Sequence, residues 1–209
     1  MHLPQARHRT LFTETMRGWF APFSGQGYAM ADASGKADRA GGYFILTVVS
    51  DVDAMVADPD RRSPAFGCVV LPMVDADPLR VVEGWLDLFV DARPNAVEMR
   101  YGLRLATRAG EAWYLRGVKD VAHRSWFPTV LADTTTLFVD VFRGDEPLGE
   151  PAFRGILRMG PGAVTAQGLS FRGEGGPLGL GAILRFTRYY ISRVVAVYLG
   201  PRTTPRFIG

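Results

Sequence analysis

Glu98-Met99-Arg100-Tyr101-Gly102-Leu103-Arg104-Leu105-Ala106-Thr107, then Arg108-Ala109-Gly110-Glu111, then Ala112-Trp113-Tyr114-Leu115-Arg116-Gly117-Val118-Lys119-Asp120-Val121, is the stretch that decides the fold class. In the first run Val97, Met99, Tyr101, Leu103 and Leu105 alternate with Glu98, Arg100 and Arg104. A period of two marks a strand with one buried face. The short connection contains Gly110 and reads as a hairpin turn. In the second run Trp113, Leu115, Gly117, Lys119 and Val121 share a face. Two such runs in succession predict an antiparallel pair.

The same period recurs on both sides of this pair. It predicts strands over Thr10 to Phe20, Tyr43 to Ser50, Ala65 to Pro72, Leu79 to Val90, Thr134 to Phe142, Phe153 to Met159 and Ala163 to Phe171. Segment 22–42 is rich in Gly, Ala and Ser and reads as a long loop. Asp51 reads as the N-cap of one helical turn that stops before Pro59. Between Leu180 and Leu199, Ile183, Phe186, Tyr190, Val194 and Val197 lie opposite Arg185, Arg188 and Ser192, the spacing of an amphipathic helix. Gly200-Pro201 ends it. Eight or nine strands followed by one helix predict an all-β domain. Its expected form is an antiparallel closed or nearly closed barrel, lipocalin-like, with one C-terminal amphipathic helix. A two-sheet sandwich is the alternative. The chain then divides into a flexible N-terminus (1–9), the barrel (10–172), the helix packed on it (173–200) and a tail (201–209).

Composition narrows the function classes. With 209 residues, 47% of them hydrophobic and 22% charged, the chain can build one core without staples. Cys68 is the only cysteine, which excludes an internal disulfide and a thiolate metal frame. His2, His8 and His123 have no metal-ligand spacing. The basic residues are scattered among acids, which argues against a nucleic-acid face. No run of 18 apolar residues is present, so no membrane-spanning helix is expected. The first residues lack the apolar core of a secretory signal, and a cytoplasmic location is expected. No cofactor motif is found.

Four phrases are familiar together. They are Phe12-Thr13-Glu14-Thr15-Met16-Arg17-Gly18; Leu46 to Met55 followed by Ala57-Asp58-Pro59; Met99-Arg100-Tyr101 followed by Tyr114 to Lys119; and Trp126 followed by Asp133 to Val139 and Gly155-Ile156-Leu157. The set resembles the uncharacterised β-rich accessory region of large bacterial multidomain proteins. Those proteins also carry a cholesterol-oxidase-like (GMC) flavoprotein region or an α/β-hydrolase region. The likeness spans most of residues 10–160. The chain has neither a GxGxxG fingerprint nor a GxSxG elbow, so no flavin or hydrolase chemistry carries over. The resemblance implies a context of oxidative or hydrolytic lipid or sterol metabolism, with an oxidoreductase or hydrolase as partner.

Two charges sit where strands should be apolar. Alternation groups Glu14 with Phe12, Met16 and Gly18, and Lys119 with Trp113, Leu115 and Val121. A lone charge in an interior costs several kcal/mol or more, so each needs a partner. One expectation is an ion pair inside the barrel that orients a ligand; the alternatives are a buried pair with no ligand, or a strand phase shifted by a bulge that exposes both. Asp133-Thr134-Thr135-Thr136 reads as a turn before a strand, with a polar mouth as the other reading. His123 near Asp120 has no nucleophile elbow beside it.

The first functional reading is a barrel that binds a lipid-like or sterol-like apolar molecule. Met16, Tyr101, Trp113 and Leu115 would line its pocket, and Glu14 and Lys119 would anchor the ligand's polar group. The second is a cofactor-free isomerase or cyclase. Glu14 would be its base, with Lys119 or Tyr101 as the electrophilic partner. The third is a structural interaction module with a filled barrel.

Overall fold

A computed structural model of the chain describes residues 9–122, 129–174 and 179–201. Eight strands follow one another around a closed antiparallel barrel: β1 (Arg9–Pro22), β2 (Gly41–Asp51), β3 (Arg62–Val70), β4 (Leu79–Arg93), β5 (Ala96–Ala106), β6 (Ala112–Ala122), β7 (Thr136–Arg143) and β8 (Phe153–Arg158). Each pairs with the next, and β1 pairs with both β2 and β8, which closes the ring. The sandwich alternative is thereby set aside. The hairpin that opened the sequence reading pairs Met99 with Lys119, Tyr101 with Gly117 and Leu103 with Leu115.

Alternation does the sorting. Phe44, Leu46 and Val48 of β2, Met99, Tyr101 and Leu103 of β5, and Leu137, Val139 and Val141 of β7 point inward and are buried. They form one continuous core with Met16, Leu86 and Leu115. Burying a side chain of this size contributes about 1.5–3 kcal/mol. β7 is covered outside as well. There Tyr28 packs edge-on against Phe138 at 5.3 Å and donates a hydrogen bond to Asp140 at 2.9 Å.

Two segments differ from the sequence expectation. Residues 22–42 are not a plain loop: they hold the helix α1 (Tyr28–Ala37). Small residues make it possible, since Ala31 and Gly35 turn to the barrel. A β-carbon on Gly35 would lie 2.3 Å from the Phe20 carbonyl oxygen, so only glycine permits this approach. Arg158 then clasps Asp32 of the helix with two bonds of 3.0 and 2.9 Å. The predicted strand Ala163 to Phe171 is also a helix, α4 (Pro161–Ser170). Its start is Gly160-Pro161, with proline in the first turn where its missing N–H is harmless.

Shorter elements complete the description: α2 (Val52–Ala57), α3 (Thr129–Thr135) and β9 (Arg172–Gly173). Asp51 caps α2 as expected, accepting from the Ala54 N–H at 3.2 Å. The predicted terminal helix is α5 (Leu180–Leu199).

The helices other than α1 gather at one end of the barrel, where the ring is uneven. β8 reaches β1 only from Arg17 to Pro22. β9 adds pairs at Thr10 and Leu11. Between these, α4 lies along β1, and the Ser170 hydroxyl accepts from the Thr13 N–H at 2.8 Å. α5 closes this end. Its Phe186 packs on Phe12 at 5.4 Å, and its Tyr190 meets Phe89 edge-on at 4.8 Å. Polar ties help to fix it, among them Arg185 to Asp53 of α2, Arg193 to Asp91 of β4, and Tyr198 to Asp133 of α3.

Candidate functional site

β1, β5 and β6 deliver three polar side chains to one point inside the barrel. The Lys119 ammonium donates to Glu14 Oε1, and the Tyr101 hydroxyl donates to Glu14 Oε2 at 2.8 Å. The side chains of Lys119 and Glu14 are only 4% and 1% exposed, so this is a desolvated pair. The ammonium also lies 5.2 Å from the centre of the Tyr101 ring, where the π-face attracts it. Gly117 stands opposite Tyr101 on β6.

A pocket of about 530 Å³ lies at this end of the barrel. Phe12 of β1, Val164 of α4, Phe171 and, from α5, Phe186 and Val194 supply its apolar wall. Thr134 and Thr135 of α3 add hydroxyls at its edge. Tyr190 joins the two sites. It borders the pocket, its hydroxyl is hydrogen-bonded to Thr134, and the Glu14 carboxylate acts on it. Burial first, and Glu14 second, push the Tyr190 pKa above that of an ordinary phenol; the bond to Thr134 partly opposes this. Burial also dominates the strongly raised pKa of Tyr101, with the Glu14 charge and hydrogen bond adding to it. Both tyrosines are therefore neutral hydroxyls across the physiological range.

These shifts make the stability sensitive to alkali. Below pH 10 the phenols are protonated in the folded and the unfolded chain alike. Above it, a tyrosine of ordinary pKa ionises in the unfolded chain while Tyr101 stays protonated in the folded one. A raised folded pKa therefore contributes stability at lower pH that is lost as pH rises. The expected loss for Tyr101 is about 1.4 kcal/mol per pH unit. Urea unfolding at increasing pH reads this slope. The Tyr101→Phe variant should show a slope shallower by that amount, and identical slopes in the two proteins would contradict the assignment.

The other sequence candidates lie elsewhere. Met16, Trp113 and Leu115 are buried in the packed core, and like Glu14, Tyr101 and Lys119 they are not among the residues that line the pocket. Trp113 and Leu115 precede Gly117 on β6, toward the barrel end away from α5. There Arg143 covers the Trp113 ring at 4.9 Å. Asp133-Thr134-Thr135 is the end of a helix rather than a simple turn, and its two threonines border the pocket. His123 and Trp126, with residues 1–8 and 202–209, lie outside the described residues. Among the described residues no group of His, Cys, Asp and Glu is arranged to hold a metal ion.

Sequence reasoning missed most of the pocket wall. One signal was present. Val164, Gln167, Gly168 and Phe171 are spaced three and four apart, the helical period, and all four border the pocket. A second hollow, of about 430 Å³, lies on the outer wall near Trp85 and Tyr114. Its charges are tied to one another as Arg62–Asp87, Arg100–Glu98 and Arg116–Asp140. No protein-family model matches the chain, and neither does any curated protein or solved structure.

Proposed function

We propose that the protein binds one lipid-like or sterol-like molecule between α4 and α5, at the helical end of the barrel. The observation that carries this reading is the 530 Å³ pocket with an apolar wall and one polar corner. Its volume falls in the range of small-molecule sites, about 300–1,000 Å³. A hydrocarbon frame matches Phe12, Val164, Phe171 and Val194. A single hydroxyl or carbonyl on that frame matches the hydroxyls of Tyr190 and Thr134. Glu14 and Lys119 then act from behind: burial and the Glu14 carboxylate together raise the Tyr190 pKa, and the Lys119 ammonium holds Glu14 in place through its hydrogen bond. In a cell the carrier would serve an oxidoreductase or hydrolase that acts on such compounds.

The second reading, an acid–base isomerase or cyclase, draws on the junction of Glu14, Lys119 and Tyr101. It is the weaker of the two because both oxygens of Glu14 are already engaged. A base must exchange one of those bonds for a substrate proton.

Native mass spectrometry of the purified protein, with and without added cholesterol or oleic acid, tests the carrier reading. The wild type should carry one added mass. Gly168→Phe is the matched control, since a β-carbon at Gly168 meets open space and the ring would extend into the pocket. Occupancy should fall at least about tenfold in that variant, as a ligand of this size loses a wall contact worth over 1.4 kcal/mol. An empty wild type under every condition would refute binding and favour the filled structural module. Turnover of a bound ligand that disappears in Glu14→Gln would favour the enzyme.

A further inference from the structure

α4 and α5 keep a face that the barrel does not use. α4 has no charged residue and no fully buried one. Its Leu169 is 73% exposed. α5 buries Ala182, Phe186 and Val197 against the barrel. Leu180, Leu184, Ile191, Val195 and Leu199 form a second apolar stripe on its exposed side, with Leu184 67% exposed. Spacings of four and seven keep these residues on one side of the helix. Ile191 and Val195 belong to both features: they are exposed, and they rim the pocket. The stripe is therefore continuous with the mouth of the site.

The charges that α5 itself carries are of one sign, although exposed Asp53 and Asp91 stand beside it. α5 contains Arg185, Arg188 and Arg193 and no carboxylate. Arg185 and Arg193 are consumed by Asp53 and Asp91. Arg188 makes no ion pair among the described residues and lies beside Leu184 and Ile191 on the outer side. Arg172 is exposed at the end of α4, where it donates to the carbonyls of Leu169 and Phe171. Among the described residues no helix is long and apolar enough to cross a membrane.

We infer that the α4–α5 face docks on the surface of an anionic lipid bilayer, with the pocket mouth against the lipid. Leucines and isoleucine enter the interfacial layer, and Arg188 and Arg172 meet lipid phosphates at its edge. A bilayer fits better than a protein partner on two counts. The apolar contacts are aliphatic and lack the aromatic and hydrogen-bonding anchors of a protein hot spot. The pocket they surround also opens toward the medium in which an apolar ligand resides. This second argument rests on the ligand-binding reading above; the stripe and the arginines do not.

Co-sedimentation with vesicles tests the inference. The wild type should sediment with mixed phosphatidylglycerol and phosphatidylcholine vesicles, and less with phosphatidylcholine alone. Leu169→Glu with Leu184→Glu should lower partitioning at least about tenfold, because two exposed leucines lose their lipid contact. Neither residue borders the pocket, so this variant should keep its ligand occupancy in the mass spectrometer. Arg188→Gln should cost about fivefold on anionic vesicles and little on neutral ones. Gly168→Phe should lose ligand and still sediment, which separates the two proposals. A wild type that stays in the supernatant, or a double variant that sediments equally, would overturn the inference. Sedimentation equilibrium supplies a further check: a dimer that the double variant dissociates would assign the stripe to a second copy of the chain and overturn it too.

Discussion

Lys119→Met is expected to lower the unfolding free energy by about 3–5 kcal/mol. Methionine has nearly the shape of lysine, so the change removes charge and leaves the packing. Glu14 is then buried with no cation, and Tyr101 alone cannot replace the ammonium. The double variant Glu14→Leu, Lys119→Met is the decisive comparison. It removes both charges and should lie within about 2 kcal/mol of the wild type, on either side, because a buried pair repays little beyond its own desolvation. Urea unfolding of the four proteins in the cycle measures this. A double variant as unstable as the single one would mean that the interior is disrupted for another reason. If the double variant folds and still binds ligand with unchanged strength, the acid and the amine have no part in recognition.

Asp140→Ala should have the next largest effect, about 2–4 kcal/mol. The Asp140 carboxylate is 2% exposed although it belongs to the outer wall. It accepts from Tyr28 of α1, Arg116 of β6 and Arg154 of β8, at 2.9, 2.9 and 2.8 Å. One anion thus ties a helix to two strands. Arg154 retains a bond to the Gln26 carbonyl at 2.8 Å, and Arg116 is half in solvent, so neither is fully stranded. Tyr28 gives a second readout. Its pKa is raised by burial first, then by the Asp140 charge and hydrogen bond. In Asp140→Ala the last two causes vanish, and the tyrosinate absorbance of Tyr28 should appear at lower pH than in the wild type. Tyr28→Phe identifies that step.

The barrel was legible because its strands are amphipathic in the simplest way. Phe44, Leu46 and Val48 alternate with Ile45 and Thr47, and a period of two survives without tertiary information. Glu14 and Lys119 were legible for the opposite reason, as charges that violate the pattern of their own strands. α1 was hidden by composition. Ala31 and Gly35 are chosen for closeness to Phe20, and small residues give no hydrophobic period. α4 was read as a strand because its residues carry no charges to reveal a helical face. Beyond the helical spacing of Val164, Gln167, Gly168 and Phe171, the pocket could not be read from local pattern. Phe12, Thr134, Val164 and Tyr190 meet only when four separate segments fold onto one barrel end.

The uneven ring also has a consequence for how the chain assembles. Every strand pairing but two joins neighbours in the chain, so the sheet can grow hairpin by hairpin at small entropic cost. The exceptions are the ladder between Arg17–Pro22 and Phe153–Arg158 and the short pairing of Thr10 and Leu11 with β9, which bring together segments more than a hundred residues apart. Closure of the ring is then expected to be slow, and hydrogen exchange should be fastest where the ring is thinnest, beside Thr13 and Ser170. Such opening would part the wall at the one place that a continuous eighth strand would have sealed.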